Sequence, residues 1–255
     1  LAVLGQFVAL ADVKLLGGSE GLRMQGARNC VIERIQAVSN TLYGINQEPA
    51  AYSNLYSHCV SVFNGYAYRA FGASNQIEYS ILISGNTPIQ IASSNVLSSI
   101  NACIIGSTTG ARQLFASSST IPISGKRNIL FQYPYLTDRV ETIAELQDGY
   151  SGWEGNSAAD PLFANADALD FHLLSPSGFV SNGVWVTNAA VGYSPAIDFG
   201  AAGDLAYTNE PVPNGGRVNV GLYGGTAEAS KSRTNEWLFA MSFNDGGTLI
   251  GTSRV

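Results

Sequence analysis

Two glutamates, Glu33 and Glu78, bracket Ser57 and His58 in the first third of the chain. A pair of carboxyl groups is what glycosidic hydrolysis requires, one as acid and the other as base or nucleophile. A second set of acids lies nearer the C-terminus. Asp160, Asp167, Asp170, Asp198, Asp204 and Glu210 offer hard oxygen atoms, of which Ca²⁺ takes roughly six to eight. None sits in a dense Asp-x-Asp-x-Asp-Gly loop. Asp198 and Asp204 are the candidate calcium ligands, against a structural role in capping turns with Arg217 paired to one of them. A third chemistry is aromatic. Tyr43, Tyr52, Tyr56, Tyr66, Tyr68 and Tyr79 crowd a short span. Of these, Tyr43, Tyr66, Tyr68 and Tyr79 are the candidates for a face that stacks on sugar rings, against inward packing or a subunit contact. No Gly-x-Ser-x-Gly, His-Glu-x-x-His, P-loop or Cys-x-x-Cys motif occurs. Both histidines are expected at the surface, His58 because it neighbours an inward cysteine and His172 because it alternates with Phe171 and Leu173.

Side chains as far apart in sequence as Glu33 and Glu78 meet only if the chain keeps returning to the same place. Four segments align: ARNCVIERIQAVSN (27–40), YSNLYSHCVSVFNG (52–65), ASNQIEYSILISGN (73–86) and SSNVLSSINACIIGS (93–107). They open near Asn29, Asn54, Asn75 and Asn95, then alternate apolar with polar or small residues. A short apolar piece precedes each, at Leu22, Tyr43, Tyr68 and Ile89, and Leu114 continues the series. Steps of 20–25 residues with two or three short strands predict one turn of a parallel β-helix. Helical repeats are excluded because long runs at 3.6-residue spacing are absent, and the leucine-rich repeat pattern is not kept.

In such a coil each strand pairs with its equivalent one turn on, about 4.8 Å away. Apolar columns fill the inside, and asparagine columns turn the corners. Glu33, Ser57 and Glu78 then share a column, with the glutamates two spacings, or about 9.6 Å, apart. Inverting glycosidases use roughly 6.5–9.5 Å. Cys59, Ser80 and Cys103 share a second, inward column. Its cysteines are also about 9.6 Å apart, beyond the roughly 7 Å that a disulfide spans. They are expected to act as small apolar residues, and Cys30 completes an odd, widely spaced set that fits no metal knuckle.

Composition agrees with an all-β chain. Of 255 residues 45% are hydrophobic, enough for a sizeable core, and only 13% are charged, about half the usual share. The net charge is −6, unevenly spread: residues 1–137 hold eight basic and five acidic side chains, the remainder five and fourteen. With no basic cluster, a nucleic-acid footprint is excluded. No apolar run is long enough for a transmembrane helix. The start at Leu1, with no basic region before its apolar stretch, predicts a processed or partial chain.

The period fades near residue 137. Residues 1–137 are assigned to the coils, 138–232 to final rungs and a C-terminal module, and 233–255 to a hairpin around Asn244–Gly247 or the start of a following β domain. A short helix is expected at 138–147, with Asp138 near its start and Ile143 and Leu146 on one face. The module carries a distinctive text: DPLFANADALDFHLL, then SPAIDFG, then EPVPNGGRVNVGLYGGTAEASKS. Its glycines permit tight turns and close approach, Pro211 and Pro213 stiffen the start, and Val218, Val220 and Leu222 alternate as a last strand. A solenoid needs its end covered, so the module is expected to cap the final rung.

This text resembles the C-terminal region of secreted or surface right-handed parallel β-helix repeat proteins with a choice-of-anchor Q-type module, over about 160–232. The insert FVSNGVWVTNAAVGY (179–193) departs from that pattern. The resemblance implies a right-handed coil and export to the cell surface or beyond. Enzymes of this fold class include polygalacturonase-like hydrolases and pectate-lyase-like enzymes, yet no aspartate occurs between Val13 and Thr137 to form their acidic clusters. The sequence therefore points first to a structural or adhesive segment of a larger extracellular protein or self-assembling surface structure, in contact with copies of itself, other surface proteins or polysaccharide. The alternative is a polysaccharide lyase or glycoside hydrolase centred on Glu33 and Glu78. No cofactor is expected beyond Ca²⁺, and neither nucleic acid nor a membrane span.

Overall fold

The computed structural model describes residues 1–92, 98–108, 113–116, 123–132, 136, 141–234, 242–243 and 249–250. Asn95, Asp138 and the Asn244–Gly247 turn lie outside the described residues. The chain winds as a parallel β-helix, each turn giving one strand to each of three sheets. The first turn is β1 (Ala2–Val3), β2 (Ala9–Ala11) and β3 (Lys14–Leu16); the second β4 (Glu20–Met24), β5 (Val31–Glu33) and β6 (Gln36–Val38). The third is β7 (Tyr43–Gln47), β8 (Leu55–Ser57) and β9 (Val60–Asn64); the fourth β10 (Tyr66–Ala70), β11 (Gln76–Glu78) and β12 (Ile81–Ser84). The fifth is β13 (Ile89–Ile91), β14 (Ser98–Asn101) and β15 (Ile104–Ser107); the sixth β16 (Phe115–Ala116), β17 (Ile123–Lys126) and β18 (Ile129–Phe131). After α1 (Ile143–Gly149), β19 (Trp153–Glu154) and β20 (Ser157–Ala158) add to the second and third sheets. Coil strands thus continue past residue 137.

The expected repeat holds, with two register corrections. Leu22 pairs with Ile45, not Tyr43, and Ile89 pairs with Phe115, not Leu114. The eye favours a large aromatic, but the inward position decides the column: Ile45 is fully buried, whereas Tyr43 pairs with Glu20 and Tyr66 on the outer face. Inside, Tyr56, Tyr68, Ile32, Ile77, Ile100 and Leu82 stack with the other large core residues.

The corners explain the asparagines. At each corner a residue adopts left-handed backbone, as at Asn29, Ser53 and Ser74, or Ser39 and Phe63, and the next residue turns inward. That inward residue carries the ladder. Asn64 Oδ1 accepts from Asn40 N at 2.8 Å, and Asn64 Nδ2 donates to the carbonyl of Ala37 at 2.9 Å. Asn75 Oδ1 accepts in the same way from Asn54 N, and Asn54 Oδ1 from Cys30 N. Asn29 is therefore the left-handed residue before the ladder, and Cys30 occupies the ladder position. Burying these amides is favourable only because each satisfies the backbone of its neighbouring rungs.

The helix begins five residues later than its sequence suggests. Thr142 and Glu145 form a capping box: Thr142 Oγ1 accepts from Glu145 N, and Glu145 Oε2 accepts from Thr142 N. Leu146 is buried, and Ile143 packs on the core. Near the C-terminus Ser242–Phe243 pairs antiparallel with Leu249–Ile250, as a hairpin requires.

The C-terminal module is a lateral clamp rather than an end stop. The middle strands of the third sheet, β12, β15 and β18, are apolar on both faces. Leu82, Ile105 and Leu130 point inward, while Val60, Val62, Ile81, Ile83, Ile104 and Ile129 point outward. The module covers that outer face with Phe171, Leu173, Ala196 and Val220. It begins with β21 (Phe163–Asn165) and β22 (Asp170–Leu173), an antiparallel pair, followed by a second pair, β23 (Phe179–Ser181) and β24 (Val184–Val186). An uncovered sheet face of this kind would be a large apolar patch in water.

Candidate functional site

The second and third sheets meet at a corner whose side chains are set by register. Glu33, Ser57, Glu78 and Asn101 occupy equivalent positions on successive rungs, confirming that the two glutamates lie two spacings apart with Ser57 between them. The next residue along, at the left-handed corner, is in turn Arg34, His58, Tyr79 and Ala102, with Asp12 after Ala11 one rung earlier. Arg34 is tied down: Nε and Nη2 donate to Asp12 at 2.7 and 2.9 Å, and Nη1 donates to Glu33 at 3.0 Å. These bonds hold the Asp12 carboxyl below its usual range.

The module supplies the opposite wall. Gly221 N donates to the carbonyl of Ala102 at 2.9 Å. Gly221 has φ 98°, and a Cβ there would lie 2.7 Å from Ile104 Cδ1, so this close approach needs glycine. His58 Nε2 lies 3.0 Å from the carbonyl oxygen of Gly224, and Ser57 Oγ lies 2.7 Å from His58 Nδ1. The imidazole stacks on Tyr79 at 5.2 Å, and the Tyr79 hydroxyl donates to Asp204 Oδ2. His58 is thus half-buried under the clamp, correcting its expected surface position. Burial, reinforced by Asp204, raises the Glu78 carboxyl above its ordinary value, with His58 opposing.

Between corner and clamp lies a cleft of about 920 Å³. Asp12, Lys14, Glu33, Arg34, Ser57 and His58 line one side, and Tyr223, Thr226 and Glu228 line the other. Its size is that of a small-molecule site. Three carboxylates face two cations, so neither sign of charge dominates.

Behind Tyr223 stands the second histidine, also misplaced by its sequence pattern. His172 is 7% exposed. Its ring lies parallel to Tyr223 at 3.6 Å, its Nδ1 is 2.6 Å from Asp170 Oδ1, and its Nε2 faces Glu228 Oε2 at 3.8 Å. The alternation of β22 does turn Phe171 and His172 to opposite sides, but the clamp fold leaves both sides covered.

The other candidates are dispersed. Tyr68 is fully buried and donates to Gln47 Oε1, so it cannot meet a ligand. Tyr43 and Tyr66 lie tilted against one another, their ring centres 5.7 Å apart on the first sheet, and Tyr79 lies under the clamp, so the four tyrosines form no common face. Asp204 Oδ1 accepts from Ala206 N and caps the turn after it, whereas Asp198 Oδ1 accepts from Ser232 Oγ across 34 residues and ties the chain's later segment down rather than capping a turn. Arg217 pairs with neither: it donates to the carbonyls of Phe199 and Gly200. Among the described residues no group of three or more His, Cys, Asp or Glu side chains is placed to hold a metal ion. The three cysteines are buried, and burial pushes the Cys59 thiol up to about 12. Among the described residues no helix is long and apolar enough to cross a membrane.

Sequence reasoning offered Glu210 only as one of six acids for Ca²⁺ and missed its role, which is to organise the clamp. Glu210 is 5% exposed, and its Oε1 accepts from Asn219 N at 2.8 Å and Gly225 N at 2.7 Å. Burial raises its carboxyl to about 7, against the lowering effect of those two bonds. Its place at the head of the glycine-rich text was a signal, because a loop of glycines leaves backbone N–H groups that need an acceptor.

No family model, curated protein or solved structure matches the chain.

Proposed function

We propose that this chain is a glycan-binding β-helix, serving as a structural or adhesive segment of an extracellular or cell-surface protein. The observation that carries this reading is the lateral cleft. Carboxylates, a guanidinium, an imidazole, hydroxyls and the Tyr223 ring converge there, the mixture that recognises sugar hydroxyls through hydrogen bonds and sugar faces through an aromatic ring. The near balance of charge favours a neutral glycan over a polyanion. The low charge of the chain as a whole and the resemblance of the module to surface β-helix proteins support the location. Self-association, the other expected partnership, is read by light scattering on the eluted protein.

Titration calorimetry with neutral and uronic acid oligosaccharides tests the reading. Binding by a neutral series is expected, weakened roughly fivefold to thirtyfold in Tyr223→Ala, since loss of one sugar-stacking aromatic is worth on the order of 1–2 kcal/mol. If no oligosaccharide binds at millimolar concentration, or if binding is untouched by Tyr223→Ala and Glu33→Ala, the cleft is not a glycan site.

A further inference from the structure

We propose that Ser57 and His58 are a nucleophile–base pair that removes ester-linked acyl groups from a glycan lying in the cleft. The glycan as carrier rests on the preceding reading; the ester chemistry stands on the side chains themselves. Ser57 Oγ is 2.7 Å from His58 Nδ1, within reach of direct proton transfer. His58 Nε2 is 3.0 Å from the carbonyl oxygen of Gly224. A carbonyl only accepts, so Nε2 carries the hydrogen. A neutral imidazole then has its lone pair at Nδ1, and the Ser57 hydroxyl is the donor. The Gly224 carbonyl fixes the tautomer of the base, the part a third group plays in activating a hydroxyl nucleophile.

The surroundings fit that role. Tyr79 stacks on the imidazole with an interplanar angle of 17° and holds its plane. Ser57 and His58 both line the cleft, so a substrate reaches the pair directly. Arg34 sits one rung from His58, about 4.8 Å along the coil. Three of its N–H groups hold Asp12 and Glu33. A guanidinium has five, and the remaining donors and its charge suit an ester oxygen that becomes negative in the transition state.

The reaction balances with water as its co-reactant. Ser57 Oγ bonds to the ester carbonyl carbon, and its proton passes to His58 Nδ1. The bond from that carbon to the sugar oxygen breaks, and the sugar hydroxyl takes the proton from Nδ1. Water then attacks the acyl-serine and gives a proton to Nδ1. The carboxylic acid leaves as that proton returns to Ser57 Oγ.

The purified chain is treated with a fluorophosphonate and read by intact and peptide mass spectrometry. In parallel, its turnover of p-nitrophenyl acetate is followed. One adduct per chain at Ser57 is expected, with turnover falling about 100-fold or more in Ser57→Ala and in His58→Gln. Ser57→Ala removes a half-exposed hydroxyl, and circular dichroism checks that the coil is intact. A folded protein that gives no adduct at Ser57, or keeps its turnover in Ser57→Ala, overturns the proposal. Acetate release from acetylated xylan, beside calorimetry on the same polysaccharide, separates the two readings. Adduct and ester turnover without polysaccharide binding uphold the pair and sink the glycan carrier; binding without an adduct does the reverse.

Discussion

Glu210 shows how one buried acid couples the clamp to pH. Its single hydrogen-bonded oxygen holds two backbone N–H groups of the glycine-rich loop, while Oε2 has no hydrogen-bond partner among the described residues. Folded, the carboxyl titrates at about 7 against a reference of 4.5. An acid whose folded pKa is raised contributes fully below its unfolded value, and the contribution is lost as pH rises through the folded one. The clamp should therefore weaken between about pH 4.5 and 7, by no more than about 3 kcal/mol. Glu210→Gln keeps the carbonyl acceptor and removes the charge. Hydrogen exchange at Gly225 and Asn219, corrected for intrinsic rates, should show protection that falls with pH in the wild type and stays level in the variant. Equal slopes in both would mean that Glu210 does not set the pH response.

At the scale of elements, the legible and illegible parts divide by sequence distance. The spacing of Cys59, Ser80 and Cys103 gave their column directly, and Glu33, Ser57 and Glu78 likewise, because neighbouring rungs repeat within 20–25 residues. The strands Ile81–Ser84 and Ile104–Ser107 also carried a readable signal. Their unbroken apolar runs require cover on both faces, whereas Val31–Glu33 and Gln76–Glu78 alternate and face water on one side. What covers the outer face was not readable. His58 meets Gly224 across 166 residues, and no period links them. Within the coil, the asparagine ladder is the element most exposed to a single change. Asn64→Ala would leave Asn40 N–H and the Ala37 carbonyl without their amide partner inside the protein. Two unpaired buried groups cost about 2–6 kcal/mol together. Urea denaturation should show that loss, and Asn64→Asp, which keeps the acceptor for Asn40 N–H, should fall between. A change below about 0.5 kcal/mol would mean that the corner relaxes and rebinds those groups.

For the whole molecule, the clamp and the coil are held by different forces. Backbone ladders run through every rung of the coil, so its unfolding must break many bonds together. The clamp depends on apolar cover of the third sheet and on a few long-range bonds such as Gly221 to Ala102. The clamp is thus the weaker unit and should open first. Gly221→Ala sharpens the test, because a Cβ would press within 2.7 Å of Ile104 Cδ1 at a left-handed position. The variant should bind an apolar-surface dye well below the temperature at which its β-sheet dichroism is lost, since Val60, Val62, Ile81 and Ile104 become accessible. It should also lose glycan affinity, because the Tyr223 wall of the cleft moves with Gly221 while the Glu33 wall stays with the coil. Loss of dye-excluding structure and dichroism at one temperature would show instead that coil and clamp fold as a single cooperative unit. In that case the outer face of the third sheet belongs to the same core as the interior, and the cleft is as rigid as the rungs beside it.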